Sequence, residues 1–310
     1  MINKEISINT EKFSVVLGAS GSLGLSLVSH LVEKGEKVRA VTRTPASYWD
    51  NPAEIVLADI STLSGAEKAC KDASVVYNCV FPPEIEHVIK VCLKDRSKLI
   101  LADCLSIYDC GSGPMNETTP YLVNNRETAK RRVLLENLLI STRKSHNLNF
   151  VIARGSDMFG PGVIVSTMGS TIFRNALAGR SSTLMGDIDL PHTYTYSKDF
   201  AYAMEQLGTS DKATGGVWHV PSAPTLTTNQ FLDLIYTQAG TLKKVRRLGK
   251  STLNFMGIFN PQIRAAKREK LYQFENPFVS DHSKFSKTFT ENITPHEIAI
   301  KETLDWFSSY

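Results

Sequence analysis

Phe13-Ser-Val-Val-Leu-Gly18-Ala-Ser-Gly21-Ser-Leu-Gly24 decides the fold. A short apolar run reads as a buried strand and enters a glycine-rich turn. Beyond the turn, Leu23, Leu27, Val28, Leu31 and Val32 recur at helical spacing until Gly35 stops the helix. A Gly-x-x-Gly-x-x-Gly turn between a strand and a helix lets backbone amides approach a pyrophosphate at the helix N-terminus. Gly18 permits the tight turn, Gly21 clears the path of the phosphates, and Gly24 lets the helix pack on the sheet. A dinucleotide site is therefore expected on Gly18, Ser20, Gly21, Ser22, Leu23 and Gly24.

Outward from this unit, residues 37–42, 54–57, 74–80, 98–102 and 150–153 read as further strands. Helical patterns near 64–71, 84–94 and 126–146 separate them. Such alternation predicts an α/β protein: a Rossmann-type doubly wound parallel sheet with helices on both faces. After Gly160-Pro-Gly162 the segments shorten, with candidate helices near 167–178, 198–208, 228–239 and 295–307. The expected organisation is an NAD(P)-binding domain over 1–160 and a smaller C-terminal α/β substrate lobe over 161–310, partly interleaved with the first.

Composition narrows the function classes. The 310 residues are 42% hydrophobic and 21% charged, as in ordinary globular proteins. Lys+Arg 35 against Asp+Glu 31 gives only +4, which argues against a dedicated nucleic-acid binder. No apolar run reaches the roughly 18–20 residues that span a bilayer, so no membrane partner is expected. The polar start, Met1 to Thr10 with Glu5, does not resemble a signal peptide. Cys70, Cys79, Cys92, Cys104 and Cys110 form no Cys-x-x-Cys pattern and predict reduced thiols, no metal site and a cytoplasmic location.

The end of the second strand bears on the choice of cofactor. An acid there would bind the adenosine ribose hydroxyls of NAD, whereas this chain has Val41-Thr42-Arg43-Thr44. A guanidinium at Arg43 suits a 2′-phosphate, so NADP is preferred over NAD. Asp59 and Ile60 follow the third strand and are candidates to meet the adenine, although Asp59 equally suits a cap for the next helix. Asn78, Cys79 and Val80 end strand four and Asp103 and Cys104 end strand five, on the carboxyl edge where open α/β sheets bind ligands.

Several stretches resemble the extended short-chain dehydrogenase/reductases, the NAD-dependent epimerase/dehydratase family. Leu101-Ala-Asp-Cys104-Leu-Ser-Ile-Tyr108 is similar to that family's strand-five segment. Val151-Ile-Ala-Arg154-Gly-Ser-Asp-Met-Phe-Gly160-Pro-Gly162 is similar to its Arg-Pro-x-x-x-Tyr-Gly-Pro-Gly segment. His192-Thr-Tyr-Thr-Tyr196-Ser-Lys-Asp199-Phe-Ala201 is similar to the stretch before its late helix. The resemblance covers nearly the whole chain and implies a Tyr acid/base, a Lys one turn later that lowers the Tyr pKa from about 10, and a Ser or Thr that orients the substrate oxygen. At those positions this chain carries Thr128, Arg132 and Cys104. The extra acids of the sugar dehydratases are replaced by Leu105 and Ser106, which disfavours a 4,6-dehydratase. The literal Tyr194-x-x-x-Lys198 does not suit the role, because Tyr194 precedes the helix that opens near Ser197.

The proton donor is left to Tyr108, Tyr194, Tyr196 or His192, with Cys104, Thr128 and Arg132 beside it as candidate catalytic groups. His219 reads as a satisfied strand histidine, and Arg154 as a clamp on the cleft or on an acidic ligand. Residues 241–270 hold nine basic side chains against one acid, Glu269, which reads as a solvated helical surface or as a seat for a nucleotide-sugar diphosphate. The leading expectation is an atypical NAD(P)-dependent oxidoreductase acting on a small carbonyl/hydroxyl or sugar-derived substrate. The alternatives are a non-catalytic NAD(P)-binding regulatory sensor and a nucleotide-sugar epimerase. The apolar side of 126–146 permits a homodimer.

Overall fold

The computed structural model describes residues 13–44, 53–80 and 85–310; the polar start at Met1 to Thr10 lies outside them, as does residue 84, with which the third expected helix begins. Seven parallel strands form the main sheet in the order β3-β2-β1-β4-β5-β6-β11. They are β1 (Ser14–Leu17), β2 (Val38–Thr42), β3 (Glu54–Leu57), β4 (Val75–Asn78), β5 (Lys98–Cys104), β6 (Phe150–Gly155) and β11 (Val217–His219). β1 and β6 are buried at every position, which is why they read as unbroken apolar runs rather than alternating ones. Leu17 pairs with Val41 on one side and Asn78 on the other, so the chain reverses its winding direction at β1. That reversal opens the crevice at the carboxyl edge.

One face of the sheet is covered by α1 (Ser22–Glu33) and, from much later in the chain, α6 (Ser197–Thr209). α1 buries Leu23, Leu27, Val28 and Leu31, one stripe at helical period, and Gly35 beyond its end has φ +79°. Ser26 on α1 hydrogen-bonds Ser197 on α6 at 3.0 Å. The other face carries α2 (Leu63–Cys70), α3 (Glu86–Asp95) and the twenty-residue α4 (Glu127–His146). α3 and α4 end on left-handed residues, Arg96 at φ 57° and Asn147 at φ 55°.

The C-terminal lobe has its own core, built from α5 (Ser170–Leu177), α7 (Thr228–Gln238) and α11 (His296–Ser309). Three two-stranded sheets frame it: β7 (Asp157–Phe159) with β10 (Tyr194–Tyr196), β8 (Ser182–Met185) with β13 (Val245–Leu248), and β9 (Pro191–His192) with β12 (Leu226–Thr227). α8 (Lys250–Phe259), α9 (Pro261–Lys270) and the one-turn α10 (Ser283–Ser286) complete the chain. α8 and α9 lie in the stretch read as a solvated helical surface, and their bounds are not legible because they bury almost nothing: Leu253 and Gly257 on α8, and no residue on α9. β5 and β6 also run about two residues longer than their apolar runs, carrying Asp103, Cys104, Arg154 and Gly155 into the sheet.

Candidate functional site

The glycine turn is built as the spacing implies. Gly18 has φ +73°, and a Cβ there would meet Val80 at 2.8 Å. A Cβ on Gly24 would sit 2.2 Å from the Gly18 carbonyl oxygen, so α1 packs directly on the turn. Gly21 is the N-cap of α1, and no acid occupies the first helical turn, leaving its amides open to an anion. Ser20 Oγ lies 2.8 Å from Thr42 Oγ1, which donates to the Thr44 carbonyl at 2.8 Å and so ties the turn to the end of β2.

A cavity of about 510 Å³ opens over this turn. Gly18, Ser20, Gly21, Arg43, Asp59, Ile60 and Val80 line it. The Asp59 carboxylate accepts from Ser61 N at 3.0 Å and Ser61 Oγ at 2.8 Å, which lowers its pKa; the Arg43 charge contributes in the same direction. Asn78 does not line the cavity; its side-chain amide brackets Val80 at 3.3–3.4 Å and holds the loop after β4.

A second cavity, about 570 Å³, lies towards the C-terminal lobe, and Cys79 lines both. Ser22, Leu23, Asp103, Cys104, Thr128 and Arg132 converge on it. Thr128 and Arg132, one helical turn apart on α4, share a face as an i,i+4 pair must. Cys104 Sγ lies 2.6 Å from Ser106 Oγ, and burial raises the thiol pKa. Arg132 ion-pairs with Asp103; burial and the nearby Arg154 charge both lower its pKa.

Asp157, Glu269 and Lys270 also line this cavity; the sequence gives no role to the two acids, whereas Lys270 belongs to the basic 241–270 stretch read as a solvated surface or a nucleotide-sugar seat. Glu269, at the end of α9, accepts from the Glu127 amide at 3.0 Å and from the Thr128 hydroxyl, and thereby caps α4 from the other lobe. Its signal was its isolation, one acid among nine basic residues. Asp157 follows strand six on the carboxyl edge and lies 3.2 Å from His192 Nε2. Burial would raise the Asp157 pKa, but the His192 contact and the Lys270 charge outweigh it and the net shift is downward.

The four candidate proton donors lie outside the linings of both cavities. Tyr108 hydroxyl accepts from Arg154 at 2.7 Å and contacts His219 Nε2 at 3.1 Å. Tyr194 hydroxyl lies 2.7 Å from Thr228 Oγ1, and Tyr196 donates to Glu302 at 2.6 Å. Lys198 is bound to the same Glu302, on the exposed side of α6. His192 stacks among Tyr194, Phe274 and Phe278 and does not line the cavity itself, touching its wall through Asp157 and Phe278. Arg154 is no ligand clamp in this structure: it is fully buried and bonded to Asp103, Glu136, Tyr108 and Tyr121. The basic residues of 241–270 are spread over β13, α8, α9 and the flanking turns, and only Lys270 lines the cavity.

Residues 85–220 match the NAD dependent epimerase/dehydratase family. The fold is shared over 96% of this chain and 99% of a Methanobrevibacter ruminantium UDP-N-acetylglucosamine 4-epimerase in complex with UDP-N-acetylmuramic acid, at 20% identity and TM-score 0.78. A dTDP-glucose 4,6-dehydratase from Bacillus anthracis in complex with NAD is similar over 96% of this chain and 97% of its own, at 17% identity and TM-score 0.77. A 3-beta-hydroxysteroid dehydrogenase of Mycolicibacterium neoaurum is 22% identical over 300 residues, covering 83% of this chain and 81% of that protein. An uncharacterized Mycobacterium tuberculosis protein is 35% identical over 66 residues, 21% of this chain but only 8% of its own length. Among the described residues no helix is long and apolar enough to cross a membrane. Residues 85–220 thus resemble the NAD dependent epimerase/dehydratase family, and the chain as a whole shares the Rossmann-like fold of solved epimerases and dehydratases.

Proposed function

We propose that this protein is an NADP(H)-dependent oxidoreductase acting on a small carbonyl/hydroxyl or sugar-derived compound. One observation carries the reading: the cavity over the glycine turn and the cavity around Cys104, Thr128 and Arg132 share Cys79 as a wall. A dinucleotide lying in the first would point its reactive end into the second. Gly18, Gly21 and Gly24 fit such a ligand, since side chains there would fill the cradle or push α1 away. When bound, the nicotinamide supplies the hydride chemistry.

The chain's own part is orientation and proton handling. Ser22 and Leu23 line the second cavity, and Cys104 with Ser106 would offer donors to a substrate oxygen there. Thr128 Oγ1 holds a proton directed at Glu269, so an alcohol proton can pass through that hydroxyl to the carboxylate. Arg132, balanced by Asp103, keeps positive charge beside the site. The 2′-phosphate preference rests on Arg43, which lines the adenosine-side cavity, and on an Asp59 carboxylate already bonded to Ser61.

A second reading, a non-catalytic NAD(P)-binding sensor, draws on the absence of a phenol at Thr128. Fluorescence titration with NADPH and NADH separates the possibilities. The wild type should bind NADPH more tightly, and Arg43→Ala should weaken NADPH by about 10- to 100-fold while leaving NADH nearly unchanged, the range expected for charge-assisted hydrogen bonds. NADH binding as tight as NADPH would overturn the cofactor preference and favour an epimerase. Tight binding without hydride transfer over a carbonyl and alcohol panel would favour the sensor. Binding of neither would remove the enzymatic reading.

A further inference from the structure

The hairpin of α8 and α9 shows two different faces. On α8, Leu253 and Gly257 turn inward, and α9 passes so close to Gly257 that a Cβ there would lie 3.5 Å from the Arg264 Cα. On the opposite side, Phe255, Ile258 and Phe259 follow the i, i+3, i+4 pattern of one stripe and are 65%, 68% and 75% exposed. Met256 is exposed beside them, and the rings of Phe255 and Phe259 meet edge to face at 5.6 Å between centroids. Among the described residues no other five-residue stretch exposes four large apolar side chains.

The hairpin is strongly cationic, although Lys250 is paired with Glu275 at 3.1 Å and Arg268 lies 3.9 Å from Glu269. α9 carries Arg264, Lys267, Arg268 and Lys270, and Lys250 opens α8. The single acid of the hairpin, Glu269, is turned to the Glu127 amide and the Thr128 hydroxyl. An exposed apolar stripe on a hairpin of net positive charge suits an anionic bilayer interface, where acyl chains take the apolar side chains and headgroup phosphates attract the cations. A second copy meeting the same ridge would instead bring two hairpins of net positive charge together.

We propose that the α8–α9 hairpin docks on an anionic lipid surface, with Phe255, Ile258 and Phe259 inserted and the exposed Arg264 and Arg268 drawn to the headgroups. The sequence expectation of no membrane partner rested on the lack of a spanning run, and a helix lying in the interface needs none. The same hairpin contributes Glu269 and Lys270 to the larger cavity. Docking therefore sets that cavity beside the lipid, an arrangement suited to an amphiphilic hydroxyl or carbonyl compound partitioned into the bilayer. The docking itself does not rest on the proposed reaction.

The test is co-sedimentation of the full chain with phosphatidylcholine vesicles with and without phosphatidylglycerol, at low and raised salt. The wild type should sediment with the anionic vesicles only, less so in salt. Phe255→Ser with Phe259→Ser should lower the partition coefficient by about tenfold or more, and Arg264→Gln with Arg268→Gln should abolish the preference for anionic lipid. Unchanged thermal melting of both variants, which alter exposed side chains, keeps the comparison interpretable. The proposal is overturned if the wild type ignores anionic vesicles, or if the Phe variant binds as well as the wild type. It is also overturned if sedimentation velocity shows a dimer that dissociates in the Phe variant without any vesicle binding. None of these outcomes depends on cofactor binding.

Discussion

Arg154 is fully buried, and its guanidinium needs the partners it has: two carboxylates, Asp103 and Glu136, and two phenols, Tyr108 and Tyr121. The network extends to His219, whose Nδ1 lies 3.1 Å from the Asp281 carbonyl and therefore carries the proton, leaving Nε2 to accept from Tyr108. Burial and the Arg154 charge push the His219 pKa down from 6.5 to about 3. The unfolded chain takes up this proton near pH 6.5 while the folded chain refuses it until about 3, so stability is lost as pH falls through that window. Between pH 6.5 and 5 the loss from this one group should be about 2 kcal/mol. Urea denaturation across that range should show it, and His219→Gln should unfold more easily at pH 7 but with a shallower slope against pH. Equal slopes for the two proteins would mean that His219 is not the group responsible. Sequence spacing identified His219 as a strand histidine but could not supply its partners, because Arg154, Tyr108 and Asp281 come from separate parts of the chain.

At the scale of elements, what was legible follows burial. β1 to β6 could be placed to within about two residues because the central parallel strands, covered on both faces, are mostly apolar, and the exposed edge strand β3 still carries the short run Ile55-Val-Leu57. α1 was legible because its buried stripe repeats at helical period. α8 and α9 present no buried stripe, and β8 with β13 pairs across more than sixty residues, so neither unit leaves a periodic trace. The same limit hid Glu269: that it caps α4 is a fact of lobe docking, 142 residues away from Glu127. The glycine turn is the opposite case, since its geometry is local. Gly24→Ala would drive a Cβ to 2.2 Å from the Gly18 carbonyl oxygen and 2.8 Å from the Ala19 Cα, backbone atoms that cannot rotate aside. α1 would have to lift from the turn, at a cost of about 1–3 kcal/mol, and its amides would move away from the proposed dinucleotide cradle. The variant should melt earlier and lose NADPH binding in the fluorescence titration. A variant that binds as the wild type does would show that α1 is not seated on that turn.

At the scale of the molecule, the chain does not divide cleanly where its sequence pattern changes. The core under α1 is made of Val16, Leu27, Val28 and Leu31 from the beginning of the chain and of Phe200, Ala201, Met204, Leu207, Trp218 and Val220 from its later half. β11 pairs with β6 through Val217 to His219 and closes that edge of the sheet. A fragment of residues 1–160 would therefore lose α6 from one sheet face and β11 from one edge. Exposing the apolar surface these elements cover forfeits on the order of 10 kcal/mol, comparable with the whole stability of an ordinary domain, roughly 5–15 kcal/mol. The fragment is expected to show no sigmoidal thermal transition and no dinucleotide binding, although it contains the whole glycine turn. The full chain, by the same reasoning, should unfold in one transition followed equally by far-ultraviolet circular dichroism and by tryptophan fluorescence, since Trp218 is buried in the shared core. A 1–160 fragment that melts cooperatively and binds NADPH would show that the first half holds its fold alone, and that α6 and β11 stabilise a sheet already formed without them.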